Sequence, residues 1–195
     1  DVRRLRRRLT FEGIEVLLQQ LESRLYNNLF IPDFKADLKK EEVLNTLYEI
    51  KEVIIHQHNG LFLHMLNNLI NKIGLFGLHF ASLDIRQDSA VHGKVLQELI
   101  AGKSALPVNY TELSELDKMN SLVSVDTTVE CNSIADPVLR DTFATIKVIK
   151  DIQQYNGVEG CSRYIISQCN SALNAMELYG LFLLSGWKPE EMNID

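Results

Sequence analysis

The chain has 195 residues, enough for one domain or a large part of one at roughly 150 residues per domain. Its 46% hydrophobic and 24% charged residues exclude disorder, and four Pro with ten Gly exclude a collagen-like or linker-dominated chain. Net charge is −6, yet residues 1–8 carry five Arg (Arg3, Arg4, Arg6, Arg7, Arg8) and one Asp, a local +4 set against −10 elsewhere.

In chain order, Phe11, Ile14, Leu18, Leu21 and Leu25 recur at helical spacing, so a helix is predicted over Leu9–Leu29, ended by Ile31-Pro32-Asp33. Val43, Leu47, Ile50 and Ile54 predict a second helix over Lys40–Gln57, and a third runs from Leu61 to Ile73 after the Asn59-Gly60 break. Phe80, Ser82 and Asp84 alternate with Ala81, Leu83 and Ile85, which predicts a strand over Leu78–Arg86 buried on both faces. Asp88 and Ser89 supply an N-cap for a helix reaching about Ile100. Asn109 with Glu112 has the form of a capping box for a short helix near Thr111–Met119, and residues 120–135 read as an irregular crossover. Asp136-Pro137 starts a long helix to about Tyr155; Arg163–Ser167 reads as a second strand; Ser171 caps a last helix, Ala172–Leu184, with Gly186 at its end.

The expected class is therefore mainly α with two short strands. Residues 1–74 form a helical segment, and residues 75–195 form two strand–helix units joined by a long helix. Two strands cannot close a sheet or cover their own edges. The chain, which begins at Asp1, thus reads as an excerpt of a larger β/α barrel, in which chemistry sits where strands end and helices begin.

The apolar runs Leu61–Leu63 and Gly180–Leu184 are far shorter than the ~18–20 residues of a membrane span, so no membrane is expected as a partner. Three cysteines without CxxC spacing (Cys131, Cys161, Cys169) fit a reducing cytoplasm rather than a disulfide framework or zinc ribbon. The Arg run reads as a solvated helix start. An acidic remainder works against phosphate-backbone binding, so nucleic acid is not expected either. His56 and His58 stand about 200° apart on a helix and cannot share an ion, and His64, His79 and His92 have no ligand spacing. There is no Gly-x-Ser-x-Gly and no Gly-rich phosphate loop.

Arg86 is the informative position. A guanidinium at the C-terminal end of an apolar strand needs an anionic partner. Two readings stand: an ion pair with Asp84 or Asp88, or a phosphate- or carboxylate-binding site shared with the free N–H groups of the helix from Ser89.

The run Phe76-Gly77-Leu78, then Leu83-Asp84-Ile85-Arg86-Gln87-Asp88-Ser89, then His92, resembles phosphoenolpyruvate carboxylase. Tyr164-Ile165-Ile166-Ser167 is similar to that family's Tyr-Val-Ile-Ser segment, although Gln168, Cys169, Asn170 and Asn174 depart from its pattern. The resemblance implies a β/α barrel wrapped in extra helices and assembled as a tetramer. It implies that the parent enzyme, a lyase, joins phosphoenolpyruvate and bicarbonate into oxaloacetate and phosphate with Mg²⁺ or Mn²⁺. It makes Arg86 a substrate-binding arginine and leaves the roles of Gln87, Asp88, Ser89 and His92 open. The family's Thr-Ala-His-Pro-Thr-Glu motif and Gly- and Arg-rich loop do not occur here, and its first metal-binding Glu is expected after Asp195; Glu190 and Glu191 precede it. No catalytic residue and no metal ligand are expected within these 195 residues, no cofactor is expected on them alone, and alone they are expected to be inactive. The rival reading is a helical protein-interaction module with a decayed carboxylase motif.

Overall fold

A computed structural model describes residues 13–31, 38–102 and 106–195. The Arg run at Arg3–Arg8 and the Pro32 stop lie outside them. The chain is mainly helical and divides into two compact units, residues 1–81 with 155–157, and residues 82–154 with 158–195.

The first unit holds α1 (Ile14–Phe30), α2 (Lys40–Gln57) and α3 (Leu63–Phe76). Val43, Leu47, Ile50 and Ile54 lie along one stripe of α2 and are all buried, packed with Ile14 of α1 and with Leu66 and Ile70 of α3. Arg24 of α1 donates to Glu42 of α2 at 2.8 Å. Asn59 and Gly60 turn the chain between α2 and α3 with φ of 50° and 73°. The face left over is an apolar groove of about 540 Å³ that includes Leu18, Leu47, Phe62, Met65 and Leu69.

The second unit opens with β1 (Asp84–Asp88) and α4 (Ser89–Ala101). The strand predicted over Leu78–Arg86 is thus shifted and shorter. Phe80 adopts a left-handed backbone (φ 61°), which interrupts the extended run, and residues 77–81 form turns and bends. Nor is the strand buried on both faces: Asp84 and Arg86 are exposed and only Ile85, Gln87 and Asp88 are half-buried. After a short 3-10 turn at Tyr110–Glu112 comes α5 (Glu115–Val123). Its cap is Ser114, whose Oγ accepts from Asp117 N–H, and not Asn109; the helix occupies part of the predicted irregular stretch. α6 spans Pro137–Asn156, with Asp136 Oδ1 accepting from Val138 and Leu139 N–H and with Glu98 of α4 accepting from Ala135 and Asp136 N–H. β2 (Arg163–Ser167) and α7 (Ala172–Leu184) fall on their predicted spans. Gly186 (φ 94°) lets Trp187 N–H reach Phe182 O and its own N–H reach Leu183 O, the paired bonds that close a helix C-terminus.

β1 and β2 pair in parallel, Asp84 opposite Arg163 through Asp88 opposite Ser167. Along the outer edge of β2, Asp195 N–H donates to Ser162 O (2.8 Å) and Tyr164 N–H donates to Asp195 O (3.0 Å). These are the two slanted bonds of a parallel ladder centred on Arg163 and Asp195. α7 packs on α4 and α5 over a core that includes Leu96, Leu122, Phe143, Ile146, Leu181 and Trp187. The α5–α7 approach is close at Gly180, where an added Cβ would stand 2.5 Å from Leu122 Cδ2 and 3.3 Å from its Cβ. Leu122 is fully buried and has no room to retreat. Gly180→Ala is therefore expected to lower stability by about 1–3 kcal/mol in urea denaturation. An unchanged midpoint would contradict this packing.

Candidate functional site

Side chains alternate along a strand, so the two-stranded sheet has two chemically different faces. Ile85, Gln87, Tyr164 and Ile166 make one face, packed toward the helices, with Tyr164 buried. Asp84, Arg86 and Asp88 of β1, beside Arg163, Ile165 and Ser167 of β2, make the other. That face is largely open: the Arg86 and Arg163 side chains are 72% and 63% exposed. The expected guanidinium at the C-terminal end of an apolar strand is not found: Arg86 is the middle residue of β1, and its side chain is exposed. Its desolvation cost is small because most of the side chain stays in water.

Arg86 Nη2 stands 3.8 Å from Asp84 Oδ2, and Arg163 Nη1 stands 3.8 Å from Asp84 Oδ1. Both separations exceed hydrogen-bond length, and exposed ion pairs of this kind contribute about 0–1 kcal/mol. The positive end of α4 is already occupied, since Asp88 Oδ1 accepts from Ala90 N–H at 2.8 Å. The expected contribution of that helix terminus to anion binding is therefore reduced, and the open guanidiniums of Arg86 and Arg163 are left as the donors on this face.

Behind the sheet the strand ends are tied down. Gln87 Nε2 donates to Thr142 Oγ1 of α6 (3.2 Å), and its Oε1 accepts from Asp88 N–H (2.9 Å). Ser89, which is buried, donates through Oγ to Gln168 O (2.9 Å), linking the two strand-end loops. Gln168 itself has φ 54°. His92 is fully buried on α4, and its Nε2 lies 2.9 Å from the Tyr164 hydroxyl of β2. Burial pushes the His92 pKa down to about 4, partly offset by Asp88, and pushes the Tyr164 hydroxyl up to about 12. Both are neutral near pH 7. These contacts give Gln87, Asp88, Ser89 and His92 structural roles that the sequence left open. Thr142 and Arg163 were not anticipated, Arg163 carrying only the signal of a charge opening an apolar strand; Tyr164 and Gln168 stood out only through the Tyr164–Ser167 family segment and its departures.

A cavity of about 300 Å³ between β1 and α6 is lined by Gln87, Asp141, Thr142 and Thr145 as well as Arg86. There Asp141 faces a single cation, whereas the open sheet face brings two guanidiniums together, so that face is the better candidate. Among the described residues no three His, Cys, Asp or Glu side chains converge as metal ligands, and Glu191 is engaged with Lys150 at 2.6 Å. The described residues thus offer no fitting site for the Mg²⁺ or Mn²⁺ that the resemblance implies.

A family model described as phosphoenolpyruvate carboxylase matches residues 4–193. The chain belongs to the phosphoenolpyruvate carboxylase family. It is 31% identical over 137 residues to the phosphoenolpyruvate carboxylase of Thermosynechococcus vestitus, covering 66% of this chain and 14% of that protein. To those of Prochlorococcus marinus AS9601 and Synechocystis sp. it is 28% and 31% identical, over 83% and 71% of this chain and 15% and 14% of theirs. This family segment thus spans about one seventh of the relatives it matches. No solved structure gives a significant match. No helix among the described residues is long and apolar enough to cross a membrane.

The buried neutral His92 has a consequence for acid stability. Its folded pKa lies below the ordinary 6.5, so the unfolded chain takes up the proton first. The stability this group contributes is fully present above pH 6.5 and is lost as pH falls toward 4, by up to roughly 3 kcal/mol. Between pH 7 and 4.5 the wild-type chain should therefore lose more denaturation free energy than His92→Asn, which has no titrating ring. Parallel losses in both chains would refute the buried neutral histidine.

Proposed function

We propose that the chain is part of an enzyme that carboxylates phosphoenolpyruvate with bicarbonate, giving oxaloacetate and phosphate, and that Arg86 binds the substrate. The observation that carries the reading is the open guanidinium of Arg86, the middle residue of β1, held only loosely by Asp84. A stability role would need a short, buried pair, and this one is long and exposed. Loose engagement leaves the planar guanidinium able to make two hydrogen bonds to phosphate oxygens.

The same reading places β1 and β2 in a β/α barrel, with their open polar face toward the interior. Parallel pairing, helices packed on one face only, and the parallel bonds of Asp195 along the β2 edge all support it. In this arrangement bicarbonate attacks the phosphorus of phosphoenolpyruvate, the enolate of pyruvate leaves, and CO₂ released from carboxyphosphate is captured by the enolate. Arg86 offsets the charge on the phosphoryl oxygens during transfer. Gln87, Ser89 and the His92–Tyr164 pair fix the strand ends so that this guanidinium does not have to be ordered at each turnover. The divalent metal, the proton-transfer histidine and the tetrameric assembly belong on this reading to other segments of the enzyme, and the three free thiols suit a reducing cytoplasm. The rival interaction-module reading has no specific observation in its favour, because the family match runs over nearly the whole chain and not over the motif alone.

In the full-length carboxylase, Arg86→Lys keeps the charge but loses the two-point contact. Turnover should fall about 10²–10³-fold, the cost of one lost donor to developing charge, with the melting temperature unchanged. Near-normal turnover and phosphoenolpyruvate affinity would sink the substrate-site assignment. The 195-residue chain alone should make no oxaloacetate from phosphoenolpyruvate and bicarbonate with Mg²⁺, because one guanidinium cannot replace metal, base and enclosed pocket; measurable product would contradict that division of labour.

A further inference from the structure

We infer that Arg163 is a positioning residue for the same site: it shares the Asp84 carboxylate and so keeps Arg86 free for an anion. The inference rests on the proposed substrate role of Arg86. Parallel register sets Arg163 directly opposite Asp84, while Arg86, two residues on, points from the same face. The two guanidiniums approach different oxygens of one carboxylate, each at 3.8 Å. Neither is within hydrogen-bond distance, so neither captures it. The residue opposite Arg86 is Ile165, which offers no polar atom from its side chain. Asp84 is thus the acid nearest Arg86, and it is the less exposed member of the trio, at 32%.

Removing Arg163 changes two things together. Asp84 is left with Arg86 as its neighbouring cation, and a rotamer change of the long Arg86 side chain suffices to close 3.8 Å to a bidentate pair. The face also loses one positive charge near the incoming phosphate. Both act on anion affinity, and neither touches the reacting atoms. Arg163 is therefore a positioning residue and not a catalytic one.

The test is a set of variants in the full-length carboxylase, read as KM and kcat for phosphoenolpyruvate. Arg163→Ala should raise KM about fivefold, the scale of an exposed charge interaction, with kcat within about twofold. Adding Asp84→Asn in the same chain removes the competing carboxylate and should return KM toward the wild-type value. An Arg163 that only supported the fold, or that itself bound substrate, would give no such rescue. An unchanged KM in Arg163→Ala, or a raised KM that Asp84→Asn does not restore, overturns the inference. Arg86→Ala is the separate control: if it leaves KM and kcat unaltered, the substrate-site reading itself fails, whatever Arg163 does.

Discussion

The parallel pairing of two five-residue strands, β1 and β2, is the constraint on which the second unit depends. It sets Asp84 against Arg163 and Asp88 against Ser167, and strand alternation then sends every charged side chain of the pair to one face. Ile85, Tyr164 and Ile166 go to the other face, where they join the helical core. A slip of one residue in either strand would put a guanidinium into that core and an isoleucine or tyrosine into water. Register is therefore strongly selected even though the sheet is small.

Two strands have little cohesion of their own, and side-chain bonds between elements supply it. Ser89 to Gln168 joins the loops at the strand ends, His92 to Tyr164 joins α4 to β2, and Gln87 to Thr142 joins β1 to α6. Each lies where water is partly or wholly excluded. Removing one partner strands the other and costs about 1–3 kcal/mol, more than any ion pair on the open face contributes. The unit therefore divides its polar residues by task. Neutral groups behind the sheet and the capping Asp88 hold the geometry, and the guanidiniums in front of it are left adaptable. Arg86 belongs to the second set, which is what an anion-binding residue requires.

Much of this was legible in the sequence because local chemistry specified it. Asp136-Pro137 fixed the start of α6 and Gly186 the end of α7, and the Val43–Ile54 stripe located α2. The failures came where two local signals competed or where the answer lay in another part of the chain. Asn109 with Glu112 and Ser114 with Asp117 both resemble a cap and its acid; the hydroxyl of Ser114 is the one that reaches a helix N–H. The alternation from Leu78 looked like one strand, but Phe80 turns into the left-handed region, and extended pairing begins only where Arg163 is available opposite Asp84. The motif marks Arg86, whereas the argument from an apolar strand end does not hold, because Arg86 lies mid-strand with its side chain in water. Arg163 required the register, which no single stretch of sequence contains.

The central claim is that the open face of this sheet receives the phosphate of phosphoenolpyruvate through Arg86. Its most direct test is arginine modification by phenylglyoxal in the full-length carboxylase, mapped by peptide mass spectrometry with and without saturating phosphoenolpyruvate. The account predicts that substrate slows modification of Arg86 strongly and of Arg163 much less, since only the former contacts the ligand. Equal labelling of Arg86 in the presence and absence of phosphoenolpyruvate would contradict it.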